Sequence, residues 1–599
     1  MSIVPLKRLT LYGMATEKEA VLEGLQELGC IHLVDLQPSE RRSEMPAAQA
    51  KDTYEALRYL EDTRQQRRPA SEDEDYDLDA IVEKALWNRH RRLSVHDRLD
   101  ELRHRIQELE PWGNFHLPEP GELGGMSLWF YVVPLHQMNQ VRQSDLTWQI
   151  ARKDHRNAYV VVVSDQRPPA EAMPVPPVDL GRLSLAELRW QEELAEAERE
   201  ELFAERWALT RWLGLLKRDL ARAENRAALE LAGTQTLDAV EVFAVQGWLP
   251  HHRVNDVMDF VKPRGLACTL EDPRPDDNPP VLLENPPRLS AGEDLVAFFQ
   301  LPGYRDWDPS AVVFLSFALF FAMILSDAGY ATTLVIGLAF FWKRMGKTAS
   351  GKRMRTLAGS LAAVSVLYGV LVGSYFGVAP AEGSLLGFLK ILDINDFDSM
   401  MKLSVVVGGA HVALANLLVA WNRRQSWVAL APVGWLIIVA SGLGVLLLGV
   451  DSRFASGAWW AVGAGGVCIL LFGSERPLRR VTDLGLRLFD GLKSIMRISG
   501  AFGDVLSYLR LFALGLSSAS LAVTFNQLAV QAMDTPGIGL LFGLAILLGG
   551  HVLNIILAMI SGVVHGLRLN LIEFYNWGVS GEGDAFRAFR KKETLSWTQ

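Results

Sequence analysis

The chain has 599 residues, enough for roughly three or four domains, and its 60 Lys and Arg against 69 Asp and Glu leave a formal charge of −9, which excludes a strongly basic nucleic-acid binder. Hydrophobic residues make up 49% and charged residues 22%, averages that conceal two halves of different character. Cys30, Cys268 and Cys468 are too few and too scattered for a disulfide framework or a cysteine-based metal site, and no cofactor or metal is expected.

The N-terminal sequence MSIVPLKRLTLYGM lacks the apolar core of a secretory signal, so residues 1–271 are expected to form a cytoplasmic domain. A strand over SIVPLKRLTLYGM, an amphipathic helix near residues 16–28 and a strand at CIHLVDL make a first α/β lobe. LWFYVVPL, a helix and AYVVVVSD suggest a second, and VEVFAVQGWL, a helix near residues 252–264 and GLACTLED a third. Between them, residues 43–66, 80–109 and 183–231 carry Leu, Ala, Glu and Arg at spacings of three and four, which predicts long coiled-coil arms. The prolines of DPRPDDNPPVLLENPP deny the backbone both helix and ladder, and residues 272–309 read as a linker.

From Ser310 the solvent changes. Runs such as AVVFLSFALFFAMIL, LAAVSVLYGVLVGSYFGV, LSVVVGGAHVALANLLVA and LIIVASGLGVLLLGV are long enough to span a bilayer, and residues 310–579 are expected to be a transmembrane domain. The loop 343–355 carries Lys343, Arg344, Lys347, Lys352, Arg353 and Arg355 with no acid, which places it in the cytoplasm. Loop 380–402 is acidic and suits the outside; the loop with Arg423 and Arg424 falls inside, that with Asp451 and Arg453 outside, and the cation-rich segment from Arg476 to Arg497 inside again.

Both ends of residues 310–342 must then be cytoplasmic. As one helix this stretch would be about 50 Å long against a hydrocarbon core of roughly 30 Å, so a hairpin breaking at Ser326-Asp327-Ala328-Gly329 is expected, with Asp327 capping the amides of the restarted helix. The last two spans, about residues 500–533 and 538–577, are too long to stand upright. The expected fold is therefore an α-helical membrane domain of about eight spans, two of them long and tilted, joined to an α+β cytoplasmic domain of α/β lobes on coiled-coil arms. It would sit in the cell membrane as a multi-pass protein with both termini cytoplasmic, residues 580–599 forming a tail.

No nucleotide site is legible. Gly346-Lys347-Thr348 has Phe341 where a phosphate loop needs glycine, and neither HExxH nor GxSxG occurs. The informative residues are charges at bilayer depth, which cost about 2.5–3.5 kcal/mol each on insertion scales and persist where paired or functional. Arg510 lies about 15 Å into its span, on a small, polar helical face with Gly503, Ser507, Ala513, Ser517 and Thr524. In the final span His551, Asn554, Ala558, Ser561, His565 and Arg568 step by three and four along one face, and Glu573 and Asn576 continue near it. Asp504 lies on the cytoplasmic side of Arg510, so these groups furnish acceptors for a broken proton path. His411 and Asn416 are polar residues of another span suited to bonding neighbouring helices.

SYLRLFALGLSSASLA and HGLRLNLIEFYNW resemble the two arginine signatures of the membrane-embedded stator subunit, subunit I or subunit a, of V-type and archaeal-type rotary ATPases. FALFFAMILSDAGY, GSYFG, LPGYRDWDPS, AVQGWLP and LGCIHLVDL are similar to its other landmarks, so the resemblance runs the length of the chain. It implies that Arg510 is the essential stator arginine and Arg568 its companion, facing a rotating proteolipid ring of c or L type. Peripheral-stalk heterodimers and a central-stalk cap subunit would bind the arms and lobes, and the bilayer the spans. It further implies two half-channels, with Ser507, His551, Asn554 and His565 along the proton path and Asp504 and Glu573 at the cytoplasmic opening. The alternative is a secondary transporter with the same charges at a midplane site, which would require two corresponding broken helices where only one break, at Asp327, is seen.

Overall fold

The computed structural model describes residues 2–36, 47–70, 76–118, 123–169, 172–181, 183–449, 451, 453–474, 476 and 481–592. Residues 43–46 of the first expected arm, Arg479 and Arg480 of the expected inside segment and residues 593–599 of the expected tail lie outside the described residues.

In chain order, β1 (Leu6–Met14), α1 (Lys18–Leu28) and β2 (His32–Val34) precede α2 (Ala47–Glu61) and α3 (Leu78–Leu109). Asp77 starts α3 by accepting the Asp79 and Ala80 amides. Next come β3 (Ser127–Pro134), α4 (Met138–Arg142), β4 (Thr147–Lys153) and β5 (Asn157–Ser164), then α5 (Leu185–Leu209), opened by a Ser184/Glu187 capping box, and α6 (Leu213–Thr234). β6 (Leu237–Asp238), β7 (Val242–Pro250), α7 (Val254–Val261), β8 (Ala267–Glu271), α8 (Ser290–Phe299) and β9 (Leu301–Pro302) lead into the apolar helices. Those are α9 (Ser310–Leu325), α10 (Ala328–Met345), α11 (Ala349–Val372), the short α12 (Leu385–Phe388), α13 (Phe397–Asn422), α14 (Leu430–Leu448) and α15 (Arg453–Phe472). The chain continues through α16 (Val481–Ile495), α17 (Ile498–Leu506), α18 (Leu509–Met533) and α19 (Gly539–Arg568), and closes with α20 (Tyr575–Gly578) and β10 (Glu582–Gly583).

These elements form two compact units, one of Met1–Ala15, Cys30–Val34 and Asp238–Ala588, the other of Thr16–Gly29, Asp35–Leu237 and Phe589–Gln599. In the second unit α3 and α5 run antiparallel. Val95, Leu99 and Leu102 interleave with Leu188, Ala195 and Leu202, and Arg103 reaches Glu192 at 3.1 Å and Glu196 at 2.7 Å along the seam. α2 packs on α6 through Leu57, Leu60, Leu213 and Leu216. The second lobe is an antiparallel sheet of order β3-β5-β4. β4 is absent from the sequence reading because TWQIARK exposes every residue but Trp148 and so has no buried face to pattern.

In the first unit, β2-β7-β1-β8 form one antiparallel path, with β1 and β7 paired from Leu6↔Pro250 to Met14↔Val242. The strands expected in separate first and third lobes thus share a sheet. Alternation in β1 shows which face is buried and says nothing of which strand supplies its hydrogen bonds. The proline-rich stretch is irregular apart from isolated bridges Ile3↔Leu283 and Val281↔Ala585, and α8 follows it.

Among the described residues, six helical stretches are long and apolar enough to cross a membrane: Ala349–Val372, Phe397–Asn422, Trp427–Leu448, Arg453–Phe472, Thr482–Met533 and Gly539–Gly578; Ser310–Leu325 is a shorter apolar helix. The chain reverses at Ser326, which takes a left-handed conformation (φ 49°). α9 and α10 both pack on α11: Phe314 lies in one cluster with Leu357, Ala328 touches Gly369, and Arg355 stacks on Trp342. That order of contacts makes α9 parallel and α10 antiparallel to α11, a hairpin straddling a third helix.

A Cβ on Gly369 would lie 2.3 Å from the Ala328 nitrogen, backbone that has no room to yield. Gly369→Val is therefore expected to destabilise the hairpin by about 1–3 kcal/mol. Thermal unfolding of the detergent-solubilised chain checks it, and an unchanged midpoint would contradict the close approach.

The two long terminal stretches are not single helices. The first breaks at Ser507-Tyr508, where Tyr508 is fully buried against Gly408, and the second passes from α19 through a π-helical turn, Leu569–Phe574, into α20.

Candidate functional site

α18 has two unlike faces. Leu511, Gly515, Ser518, Ala522 and Ala529 are buried, with Gly515 against the Met323 carbonyl of α9 and Ala529 beside Gly543 of α19. Small residues at these positions let the backbones approach closely. Ala513, Ser517 and Thr524 are exposed on the other face, in line with Gly503 of α17, and Ser507 and Arg510 are half-buried among them. Arg510 Nη1 is sealed from solvent with no hydrogen-bond partner, and among the described residues the guanidinium makes no ion pair.

Glu573 is an acid within electrostatic range of Arg510. Its side chain is buried, its Oε1 lies 3.8 Å from Nε of the exposed Arg568, and its Oε2 has no partner. Residues five apart on an α-helix point about 140° away from each other. The π-helical turn, with its i→i+5 closure, brings positions 568 and 573 to the same side. Asp504 accepts the Trp577 indole N–H at 2.8 Å, and the Arg497 guanidinium lies 5.0 Å from the Trp577 ring. The Asn576 side chain is exposed, and its carbonyl accepts from Arg497 at 3.3 Å. Arg510 and Arg568 both lie within electrostatic range of His565 and of Glu573, and His565 Nδ1 is buried with no hydrogen-bond partner among the described residues.

His551 and Asn554 belong to a different cluster. His551 Nδ1 is 2.7 Å from the Tyr330 hydroxyl and its Nε2 is 3.0 Å from Asn526 Oδ1. Asn526 Nδ2 donates to the Phe376 carbonyl at 2.8 Å, which leaves Oδ1 as the acceptor of a proton on His551 Nε2. Asn554 Nδ2 donates to Tyr330 Oη at 2.9 Å and to the Ser518 carbonyl at 2.8 Å. Ala558 is buried and Ser561 half-buried, so this stripe of α19 turns inward, while the outward face carries Val552, Ile556, Ile560 and Val563.

Asp327 is a buried clamp. It caps α10 by accepting the Tyr330 amide at 3.0 Å, and it also accepts Ser374 Oγ at 2.7 Å, the Phe376 amide at 2.9 Å and the Gly377 amide at 3.0 Å. His411 stacks on Phe574 with ring centroids 4.3 Å apart and meets the Tyr508 hydroxyl at 2.8 Å; Asn416 bonds back to Val412 at 2.9 Å within its own helix. Thr348 of the Gly-Lys-Thr tripeptide caps α11 by accepting the Gly351 amide. Among the described residues no group of three His, Cys, Asp or Glu is placed to hold a metal.

The sequence reading missed Tyr330, Asn526 and Ser518, which complete the His551 network. The available signal was Tyr330 three residues after a buried aspartate and Asn526 in an otherwise apolar helix.

No protein-family model matches the chain. V-type ATP synthase subunit I of Borreliella burgdorferi is 24% identical over 623 residues, spanning 98% of this chain and 99% of its own. V-type ATP synthase subunit I of Chlamydia pneumoniae is 26% identical over 605 residues, 87% of each chain. A-type ATP synthase subunit I of Pyrococcus horikoshii is 29% identical over 374 residues, 59% of this chain and 54% of its own. A crystal structure of the cytoplasmic N-terminal domain of subunit I, homolog of subunit a, of V-ATPase covers 44% of this chain and 99% of its own at 15% identity, with a TM-score of 0.22, too low to relate the folds. Apolar helices of spanning length and end-to-end similarity make this chain a multi-pass membrane homologue of subunit I of the V-type and A-type ATP synthases.

Proposed function

We propose that the chain is the static membrane subunit of a rotary V/A-type ATP synthase or ATPase, presenting Arg510 to a ring of acidic proteolipids. The observation that carries this reading is an Arg510 guanidinium with no ion pair among the described residues, on an exposed helix face of small residues that admits a second protein. A ring carboxylate must be neutral to face lipid. Beside a fixed cation its pKa falls and it gives up its proton. Arginine suits the role because it does not deprotonate and so passes no proton onward. With access to the arginine offset on the two sides, a proton crosses only when the ring turns.

In this reading Arg568 is the companion cation that balances Glu573, and His565, Ser507, Asp504 and Glu573 border the cytoplasmic side of the path. Loop 343–355 and both termini face the cytoplasm, where the arms meet peripheral-stalk heterodimers and the lobes meet the central-stalk cap. An affinity-tagged chain isolated from native membranes in mild detergent is expected to bring down a ring proteolipid with a membrane-embedded carboxylate and the stalk subunits. Recovery of the chain alone, active in solute exchange in liposomes, would refute the proposal.

A further inference from the structure

We infer that the groove between α10, α11 and α19, at the end nearest loop 343–355, binds an anionic phospholipid, with an acyl chain between the helices and the phosphate on Arg344 and Lys347. The inference goes beyond the rotary reading and does not depend on it.

The groove has a volume of about 700 Å³, inside the roughly 300–1,000 Å³ of small-molecule sites. On α10, Leu334, Leu338 and Phe341 step by four and three, so one face of that helix makes the longest wall, opposite Leu361 of α11 and Met559 of α19. The wall hydroxyl of Thr333 already donates to the Gly329 carbonyl at 3.0 Å, and water would find few partners. Gly337 is recessed, since a Cβ built on it would meet nothing within 4 Å. Thr333 and Met345 at the two ends are about 18 Å apart at 1.5 Å per residue, close to one leaflet of a hydrocarbon core roughly 30 Å thick. An apolar cleft of that depth is filled by what its solvent offers, and beside membrane-spanning helices the solvent is acyl chain.

Charge at the mouth selects the headgroup. Arg344 is the one charged residue of the lining, and it stands at the end nearest the loop. Loop 343–355 carries six cations and no acid. The protein uses two of them: Arg353 pairs with Glu293 at 3.5 Å and Asp294 at 2.9 Å, and Arg355 stacks on the Trp342 ring and donates to its carbonyl. Lys343, Arg344, Lys347 and Lys352 are exposed and make no ion pair among the described residues. Cations above an apolar cleft one leaflet deep match the two ends of an anionic phospholipid.

A second apolar cavity supplies the contrast. It lies between α13, α14 and α17, bordered by Val439 and Phe502, and its one cation, Lys402, is already paired with Asp398 at 2.7 Å. It admits an acyl chain with nothing to choose the headgroup.

The test uses the assembled complex in phosphatidylcholine nanodiscs, doped with phosphatidylglycerol or phosphatidylcholine that carries a photoactivatable diazirine in an acyl chain. Each cation near a bilayer surface favours an anionic lipid about fivefold, so peptide mapping after irradiation is expected to find phosphatidylglycerol on the α10 and α11 walls about tenfold or more over phosphatidylcholine. Arg344→Gln combined with Lys347→Gln should bring the two lipids to equal yield there, and the exposure of both side chains lets the complex assemble. Gly337→Leu fills the recess and should lower the yield from both lipids while labelling near Val439 is unchanged. Equal wild-type yields, a preference that survives the double substitution, or the same preference near Val439 overturns the headgroup site. Unlabelled groove walls, yields unmoved by Gly337→Leu, or crosslinks there to a neighbouring subunit overturn lipid as the occupant.

Discussion

ATP-driven proton transport by the assembled complex is expected to fall to about 1% of wild type or less when Arg510 is replaced by alanine, because a cation at contact distance lowers a carboxyl pKa by about 1–3 units, up to a thousandfold in the proton dissociation constant. The Arg510 side chain makes no ion pair among the described residues, and Glu573 keeps Arg568 when Arg510 is removed, so the subunits should still assemble. Arg510→Lys is expected to restore little: lysine is a compact, strongly hydrated point charge that shifts its own pKa when desolvated. Quenching of a ΔpH-sensitive dye in reconstituted vesicles, with subunit content measured in parallel, reads both. Wild-type transport by the alanine variant would sink the proposed function.

The opposite pattern is expected at Asp327. Alanine there strands four donors, the Tyr330, Phe376 and Gly377 amides and the Ser374 hydroxyl, in a region where Asp327 itself is 2% exposed. Each stranded donor costs about 1–3 kcal/mol, so the loss rivals the stability of a whole domain. Asp327→Ala should therefore abolish accumulation of the assembled complex in membranes, while Asp327→Asn, which keeps one acceptor oxygen, retains a part of it. Quantifying the chain and its co-purifying subunits by immunoblot checks this. Full assembly of Asp327→Ala with only transport impaired would move Asp327 from clamp to proton path.

Much of the site was legible because charge in an apolar helix is expensive. Arg510 and Arg568 stand out of their runs for that reason, and periodicity places Arg510 with Ser517 and Thr524 without reference to any neighbour. The reversal at Asp327 follows from a length that one upright helix cannot fit, and the cap follows from aspartate's short acceptor side chain. Periodicity fails where a face must be assigned. The stripe from His551 to Arg568 reads like the Arg510 stripe, yet from His551 to Ser561 it turns inward and its outward neighbours are Val and Ile. The difference lies in Tyr330 and Ser518, which come from other helices and saturate it.

Hydropathy and helical spacing, read from the sequence alone, were enough to mark the apolar segments long enough to span a membrane, the turn at Asp327 and the side chains too costly to be accidental. Those are local free energies of transfer and of backbone conformation, and they depend on a residue and its near neighbours. Only the tertiary structure decided that the strands of the first and third expected lobes form one sheet, that a π-helical turn swings Glu573 toward Arg568, and that among the described residues Arg510 has no ion pair while Asp327 is saturated. Each of these depends on partners tens to hundreds of residues away or on one extra residue in a turn, and neither changes the pattern of polarity along the chain.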